Sequence, residues 1–183
     1  MSLPSFDPLL DFWFDPAHRE FWFKKDPAFD ARLAREFAPV AAAAGRGDLD
    51  AWQTTPRGAL ALVIALDQLP RNLHRDTANA FAQDAKALTV AQRAVAQGFD
   101  AALDDDGRAF LYMPYMHAES LATQERGVEL YAAAGLSHNL RHARQHRDII
   151  ARFGRFPHRN APLDRTSTPD EAAYLARDDA FRG

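Results

Sequence analysis

The chain has 183 residues, no cysteine and a formal net charge of -3 at pH 7. This length is sufficient for one domain with a sizeable core, and we expect a single domain over residues 1–183. The absence of cysteine excludes disulfides, thiolate nucleophiles and cysteine-based zinc sites. An acidic chain without an apolar run of about 20 residues favours neither nucleic acid nor a membrane as partner. Because the N-terminal segment also lacks the basic residues of a secretory leader, we predict a cytoplasmic protein.

Aromatic residues are concentrated near the start of the chain. The triplets 12–14 and 21–23 each end a short predicted helix, and Asp15 and Pro16 separate the two helices. We expect this segment to pack in the core rather than to form an exposed groove for a partner. A third helix begins at Pro27, and a glycine at 45 or 47 closes it.

The next predicted helix begins at Thr55 and Pro56 and contains the apolar run from Ala59 to Leu66. It is apolar nearly all round, so other helices must surround it. Pro70 has no amide hydrogen to donate, and the helix should therefore stop or kink near residue 69. Polar residues follow the run directly, and their burial is costly unless each is paired. They form either a paired network between helices or the floor of a site, and they are Asp67, Gln68, Arg71, Asn72 and His74.

The second half of the chain also has a helical period. Helices are predicted at 77–88, 89–103, 117–134, 139–153 and from 168 onward, with a polar turn at 104–107 and a short segment at 110–116 that Pro114 interrupts. No run of alternating β-branched residues competes with helix, and no 34-residue tetratricopeptide repeat is present. The predicted fold is all-α, with about eight to ten helices.

Two basic patterns occupy the C-terminal third. Between residues 141 and 165, seven arginines face only two aspartates, a local charge of +5 that leaves -8 for the remainder. They form either an anion-binding surface or ion pairs with acids such as those at 104–106. His138, His142 and His146 recur every four residues, with the last two beside Ile149 and Phe153 on an apolar helix face. Because no third ligand is evident, we expect packed histidines rather than a metal site, with a ligand-facing role as an alternative.

Three motifs place proline among apolar or aromatic residues, with Arg or His close behind. They are Asp67-Gln68-Leu69-Pro70-Arg71-Asn72, Tyr112-Met113-Pro114-Tyr115-Met116-His117-Ala118-Glu119 and Arg155-Phe156-Pro157-His158-Arg159-Asn160. In this order, behind an aromatic Trp-Phe segment, they resemble the bacterial domain-of-unknown-function 924 family over nearly the whole chain. The resemblance implies a tetratricopeptide-like right-handed α-α superhelix. It does not indicate any particular activity, so no catalytic residue is carried over from it. Ala118 departs from the Ser that many members carry there, so no role for that hydroxyl transfers to this chain.

The sequence lacks a phosphate-binding glycine loop, a Gly-x-Ser-x-Gly elbow and a His-Glu-x-x-His motif, and we expect no cofactor. The leading hypothesis is a binding module whose helical concavity takes a small anionic ligand or a peptide, with arginine as a fork for carboxylate or phosphate. One alternative is a hydrolase or transferase with His117 or His158 as general base. Another is a purely structural polar network. The predicted ligand-binding residues are Asp67, Gln68, Arg71, His117, Glu119, Arg155, His158 and Arg159.

Overall fold

The computed structural model describes residues 3–182, and over that range the chain is all-α, as predicted, with no strand. Nine α-helices lie in the described range: α1 (Asp7–Trp13), α2 (Pro27–Arg46), α3 (Pro56–Val63), α4 (Leu69–Leu73), α5 (Asp84–Ala96), α6 (Asp105–His117), α7 (Leu121–Ala133), α8 (Ser137–Phe153) and α9 (Pro169–Leu175). Short 3-10 helices join several of them. The tetratricopeptide-like superhelix stays a prediction.

The aromatic N-terminal segment packs mainly inward, as expected. The side chain of Asp15 accepts a hydrogen bond from the backbone of Ala17 and starts a 3-10 helix after α1. Phe12 and Trp13 are buried against the core, whereas Phe23 is 69% exposed. Gly47, with φ at +94°, ends α2, because only glycine adopts this left-handed conformation without strain.

A single run of helical residues crosses the middle of the fold. It begins as α3, passes through a π-helical turn at Ile64–Gln68 and continues as α4. Leu69 donates its backbone N–H to the carbonyl of Ile64, five residues back, so the wider turn carries the chain into Pro70. The predicted break at this point therefore takes the form of a π turn. This turn holds Asp67 and Gln68, and both are buried.

The structure corrects two predicted boundaries before residue 104. We placed helices at 77–88 and 89–103, but α5 is one helix over Asp84–Ala96. The hydroxyl of Thr89 donates to the carbonyl of Ala85 inside this helix, so it does not cap a new one. A short 3-10 helix at Phe99–Ala102 follows.

The predicted turn at 104–107 and the break at Pro114 were also wrong. Asp104 caps α6 by accepting a hydrogen bond from the backbone of Gly107, and α6 continues through Pro114 to His117. Residues 109–116 are all buried. Their packing outweighs the hydrogen bond that proline removes from the helix. His117 therefore ends α6 instead of starting the next helix, which Ser120 caps.

The C-terminal elements follow the prediction closely. Gly154 ends α8 with φ at +70°, and a capping box between Thr168 and Glu171 starts α9. We predicted that His142 and His146 share the apolar face of this helix. His146 is buried there, but His142 is exposed, so the prediction was wrong for His142. No helix in the described part of the chain is long and apolar enough to cross a membrane.

Most of the arginines in the basic segment are paired within the fold. Five of the seven form ion pairs, with Asp148, Asp170, Glu171, Asp84 and Glu119 as partners. The acids at 104–106 do not take part, because Asp105 pairs with Arg108 and Asp106 pairs with Arg19. The pairing alternative is therefore the better description of this segment, although its acidic partners differ from those we expected.

Candidate functional site

The three sequence motifs meet at one place in the fold. The π turn and α4 bring residues of the first motif, the end of α6 brings the second, and a 3-10 helix at Pro157–Arg159 brings the third. Asp84, the first residue of α5, completes the group. Six side chains form what we call the arginine–histidine cluster, and they are Asp67, Arg71, Asp84, His117, His158 and Arg159.

Asp67 is the most buried member of the arginine–histidine cluster, with 0% of its surface exposed. Its carboxylate accepts hydrogen bonds from Nδ1 of His117 (2.8 Å) and from Nε2 of Gln68 (2.6 Å). Nη1 of Arg71 lies 3.1 Å from the same carboxylate. Burial raises the pKa of Asp67, but the charge of Arg71 and these hydrogen bonds outweigh it and hold the pKa far below its usual range. Asp67 is thus an ionised anchor shared by two motifs.

His117 is oriented by this buried carboxylate. An ionised Asp67 only accepts hydrogen bonds, so Nδ1 of His117 carries a proton. Burial and the charge of Arg71 lower the pKa of His117, despite the opposing charge of Asp67. The imidazole is therefore neutral at pH 7, and Nε2 is an acceptor that no donor in the described part of the chain reaches. The side chain remains 15% exposed.

Asp84 joins the two arginines of the arginine–histidine cluster, and the motif analysis did not identify it. Arg71 donates to both carboxylate oxygens of Asp84, at 2.9 and 3.0 Å, in the bidentate geometry typical of arginine. Nη1 of Arg159 donates to Oδ2 at 3.1 Å. Asp84 is a first-turn acid of a helix, a position at which carboxylates are common, so its pattern carried no functional signal.

Arg159 has donors that remain unused. Its guanidinium lies between the rings of Phe81 and Phe156, 4.6 and 4.5 Å from their centroids, and its side chain is only 7% exposed. Nε is buried without a hydrogen-bond partner, and Nη2 makes no hydrogen bond within residues 3–182. Burial and the charge of Arg71 lower the pKa of Arg159 to about 10. The Nε–Nη2 edge is therefore a fixed, unpaired fork.

Two further histidines contact the ring of Phe156, which covers the guanidinium of Arg159. Nδ1 of His158 is buried and unpaired, and burial and the charge of Arg159 lower the pKa of His158 to about 3. His146 donates from Nδ1 to the carbonyl of His142, and burial together with His117 lowers its pKa to about 3. Phe181 covers both imidazoles, with ring centroids 4.4 Å from His146 and 5.0 Å from His158. Both rings are neutral at pH 7.

Glu119 and Arg155 lie outside the arginine–histidine cluster. Glu119 accepts a fork from Arg165 and a hydrogen bond from the backbone of Phe156 (2.7 Å). Arg155 forms a fork with Glu171 (2.6 and 2.8 Å), the residue that also closes the capping box of α9. Their hydrogen bonds attach the third motif to α9 and to the connection after α6. Sequence motifs alone did not separate these two contacts from the cluster.

Within residues 3–182, neither a free hydroxyl nucleophile nor a metal-binding group accompanies the histidines. The hydroxyl of Ser120 accepts hydrogen bonds from the backbone and hydroxyl of Thr123, so it serves as a helix cap. No described group of three or more His, Asp or Glu side chains has the geometry of a metal site. Asp67 and His117 resemble the carboxylate and histidine that activate a hydroxyl nucleophile in some enzymes. In the described part of the chain, no hydroxyl bonds to the imidazole of His117.

Two surface concavities lie away from the arginine–histidine cluster. One, of about 440 Å³, lies over α8 and α9 and includes Arg144, Arg152 and Tyr174. The other, of about 550 Å³, lies beside α1 and includes Phe14 and Arg57. No member of the cluster lines either concavity.

Comparisons with known proteins agree with the motifs. A family model described as a bacterial protein of unknown function (DUF924) matches residues 9–179. Among solved structures, the chain is similar to ATU0120 from Agrobacterium tumefaciens, a protein of unknown function, with 43% identity and a TM-score of 0.89. That match covers 93% of this chain and 96% of the other. No curated protein matches. The chain belongs to the bacterial DUF924 family.

Proposed function

We propose that the protein binds a small anion, a carboxylate or phosphate, at the arginine–histidine cluster. The observation that carries this proposal is the unpaired Nε of Arg159, which is buried together with the unpaired Nδ1 of His158. Buried polar atoms without partners are rare, because each forfeits its hydration without compensation. A carboxylate or phosphate on the fork would satisfy two donors at once.

The charges around the fork define how such a ligand binds. The positive charges of Arg71 and Arg159 are balanced by the carboxylates of Asp67 and Asp84. The arginine–histidine cluster therefore attracts an anion through directed donors rather than through excess charge. The rings of Phe81 and Phe156 both contact the guanidinium of Arg159 and restrict its motion, which reduces the entropy lost on binding.

A small anion suits the fork better than a peptide, because the fork offers two donors on a side chain that is only 7% exposed. A cytoplasmic location is part of the same proposal and is supported by the complete absence of cysteine. Ionic contacts at the cluster hold α4, α5, α6 and the third motif together, so a structural role for the same side chains is the competing explanation.

Titration of the ¹⁵N-labelled protein with sodium acetate and sodium phosphate, at constant ionic strength, tests the proposal. The Nε–H resonance of Arg159 should shift and then saturate as the anion concentration rises. The Kd should be of millimolar order, which corresponds to a binding free energy of about -4 kcal/mol. The Arg144 resonance is the control, because this exposed arginine has no ion pair in the described structure. Its shift should grow linearly with salt.

Arg159→Lys keeps the positive charge but lacks the fork, so saturable binding, followed in this variant by the backbone amide resonances of Phe156 and His158, should weaken by at least about tenfold. Arg144→Lys is the matched substitution and should leave binding unchanged. If the resonance of Arg159 does not respond to either anion at about 100 mM, a hundredfold above a millimolar Kd, the proposal fails and the structural explanation stands.

A further inference from the structure

We propose that the ligand of the arginine–histidine cluster carries a hydroxyl group beside its anionic group, and that Nε2 of His117 accepts a hydrogen bond from this hydroxyl. This inference rests on the proposed function, and it narrows the ligand class to small hydroxy acids and their phosphate counterparts. The anionic group occupies the fork of Arg159. The hydroxyl distinguishes the ligand from other small anions, because only it donates to His117.

The tautomer of His117 is determined by its surroundings. Asp67 is fully buried, is ionised beside Arg71 and lies 2.8 Å from Nδ1. The proton of a neutral ring is therefore on Nδ1, and Nε2 presents a lone pair. The complementary ligand group is a donor, because a second acceptor at Nε2 would leave both atoms unpaired.

His117 and Arg159 belong to one continuous set of side-chain contacts. The ring centroid of His117 is 6.4 Å from that of His146, which lies 5.5 Å from the ring of Phe156. Phe156 in turn covers the guanidinium of Arg159 at 4.5 Å. Arg71 bridges the two ends, since it contacts the carboxylates of both Asp67 and Asp84.

Desolvation favours a hydroxyl over an ammonium group. The two guanidinium groups and two carboxylates of the cluster already balance one another, so a ligand ammonium at Nε2 would lose its hydration without gaining an unpaired counter-charge. A neutral hydroxyl donates the same hydrogen bond without this cost. Hydroxy acids should therefore bind more tightly than the corresponding amino acids, in spite of their similar size.

Acetate, glycolate and glycine provide the test, because they share a carboxylate and differ at one position. Their dissociation constants are measured from the Arg159 Nε–H resonance at pH 7 and constant ionic strength. Glycolate should bind about tenfold more tightly than acetate, the effect of one well-formed hydrogen bond to a site built for it. Glycine should bind no more tightly than acetate.

Two substitutions at His117 separate the two ring nitrogens. His117→Asn retains a donor at the position of Nδ1, facing Asp67, but removes the acceptor at Nε2. Glycolate and acetate should then bind this variant with about equal affinity. His117→Gln retains a carbonyl near the position of Nε2 and should keep part of the preference. Melting temperatures of both variants confirm that the fold persists.

The outcomes distinguish this inference from the proposed function. Saturable binding at Arg159 with equal affinities for acetate and glycolate overturns the role of His117 and leaves the anion site intact. Equal affinities for glycolate and glycine also overturn it, because the site then does not discriminate a hydroxyl from an ammonium group. Absence of binding by all three compounds overturns this inference, and absence of phosphate binding as well overturns the proposed function.

Discussion

Replacement of Asp67 by Asn removes one charge from the centre of the arginine–histidine cluster without changing its shape. The Asn carbonyl still accepts the hydrogen bond from His117, but its amide group opposes the amide of Gln68, which donates to Oδ2 at 2.6 Å. Arg71 loses one of its two carboxylate partners. Because Asp67 is 0% exposed, water cannot replace the lost contacts.

The cost of this change follows from the burial. Breaking a buried ion pair costs about 3–5 kcal/mol, and the fork that Arg71 retains with Asp84 places Asp67→Asn near the lower end. A loss of about 3 kcal/mol is a large fraction of a total stability of about 5–15 kcal/mol. With a urea dependence of about 2 kcal/mol per molar, the unfolding midpoint should fall by about 1.5 M.

Urea unfolding followed by circular dichroism measures this shift. Asp48→Asn is the matched control, because Asp48 pairs with Arg46 at the surface, where both side chains are more than half exposed. Such a pair contributes at most about 0.5 kcal/mol, or about 0.25 M in midpoint. An Asp67→Asn midpoint within about 0.3 M of the wild type would show that this contact does not hold the fold together.

Three further results are expected. The pKa values of His146 and His158 are about 3 in the fold, so the unfolded chain binds more protons than the folded chain between pH 3 and about 6.5. The free energy of unfolding should therefore rise with pH in this window, by up to about 1.4 kcal/mol per pH unit for each histidine, and level off above it. Urea unfolding at pH 5–7.5 should show this slope, and a slope unchanged in His146→Phe would contradict the assignment. Gly58→Ala should cost about 1–3 kcal/mol, because an added Cβ would overlap the carbonyl oxygen of Trp52, whereas Gly45→Ala, which meets only the flexible end of Gln83, should not destabilise. Thr168→Ala should lose about 1 kcal/mol with the capping box of α9, whereas Thr89→Ala should be nearly neutral; equal melting temperatures would argue against the cap.

Several elements of the fold were predictable from local chemistry alone. Thr55 and Pro56 start a helix, Gly154 ends one, and the capping pattern at Thr168 starts the last. These signals act within one turn of the chain, so no knowledge of distant contacts is needed to interpret them. The apolar run before Asp67 likewise indicated a helix buried on every side.

Other elements were decided by packing between distant segments. Pro114 is a helix breaker by its own chemistry, yet burial of residues 109–116 keeps α6 continuous through it. Thr89 has the chemistry of a cap, but its hydroxyl bonds within α5. At Pro114 the free energy of tertiary packing exceeds a local preference of about 1–3 kcal/mol, whereas at Thr89 a different local hydrogen bond replaces the cap.

For the candidate site, the sequence by itself identified the three motifs and placed Asp67, Arg71, His117 and Arg159 among the predicted ligand-binding residues. The fold brings these four together through the hydrogen bond from His117 to Asp67 and the shared contact of Arg71 and Arg159 with Asp84. Only the tertiary structure identified Asp84 and the unpaired fork of Arg159. The reason is physical: burial and hydrogen-bond satisfaction depend on side chains from distant segments, and the spacing of residues along one helix does not encode them.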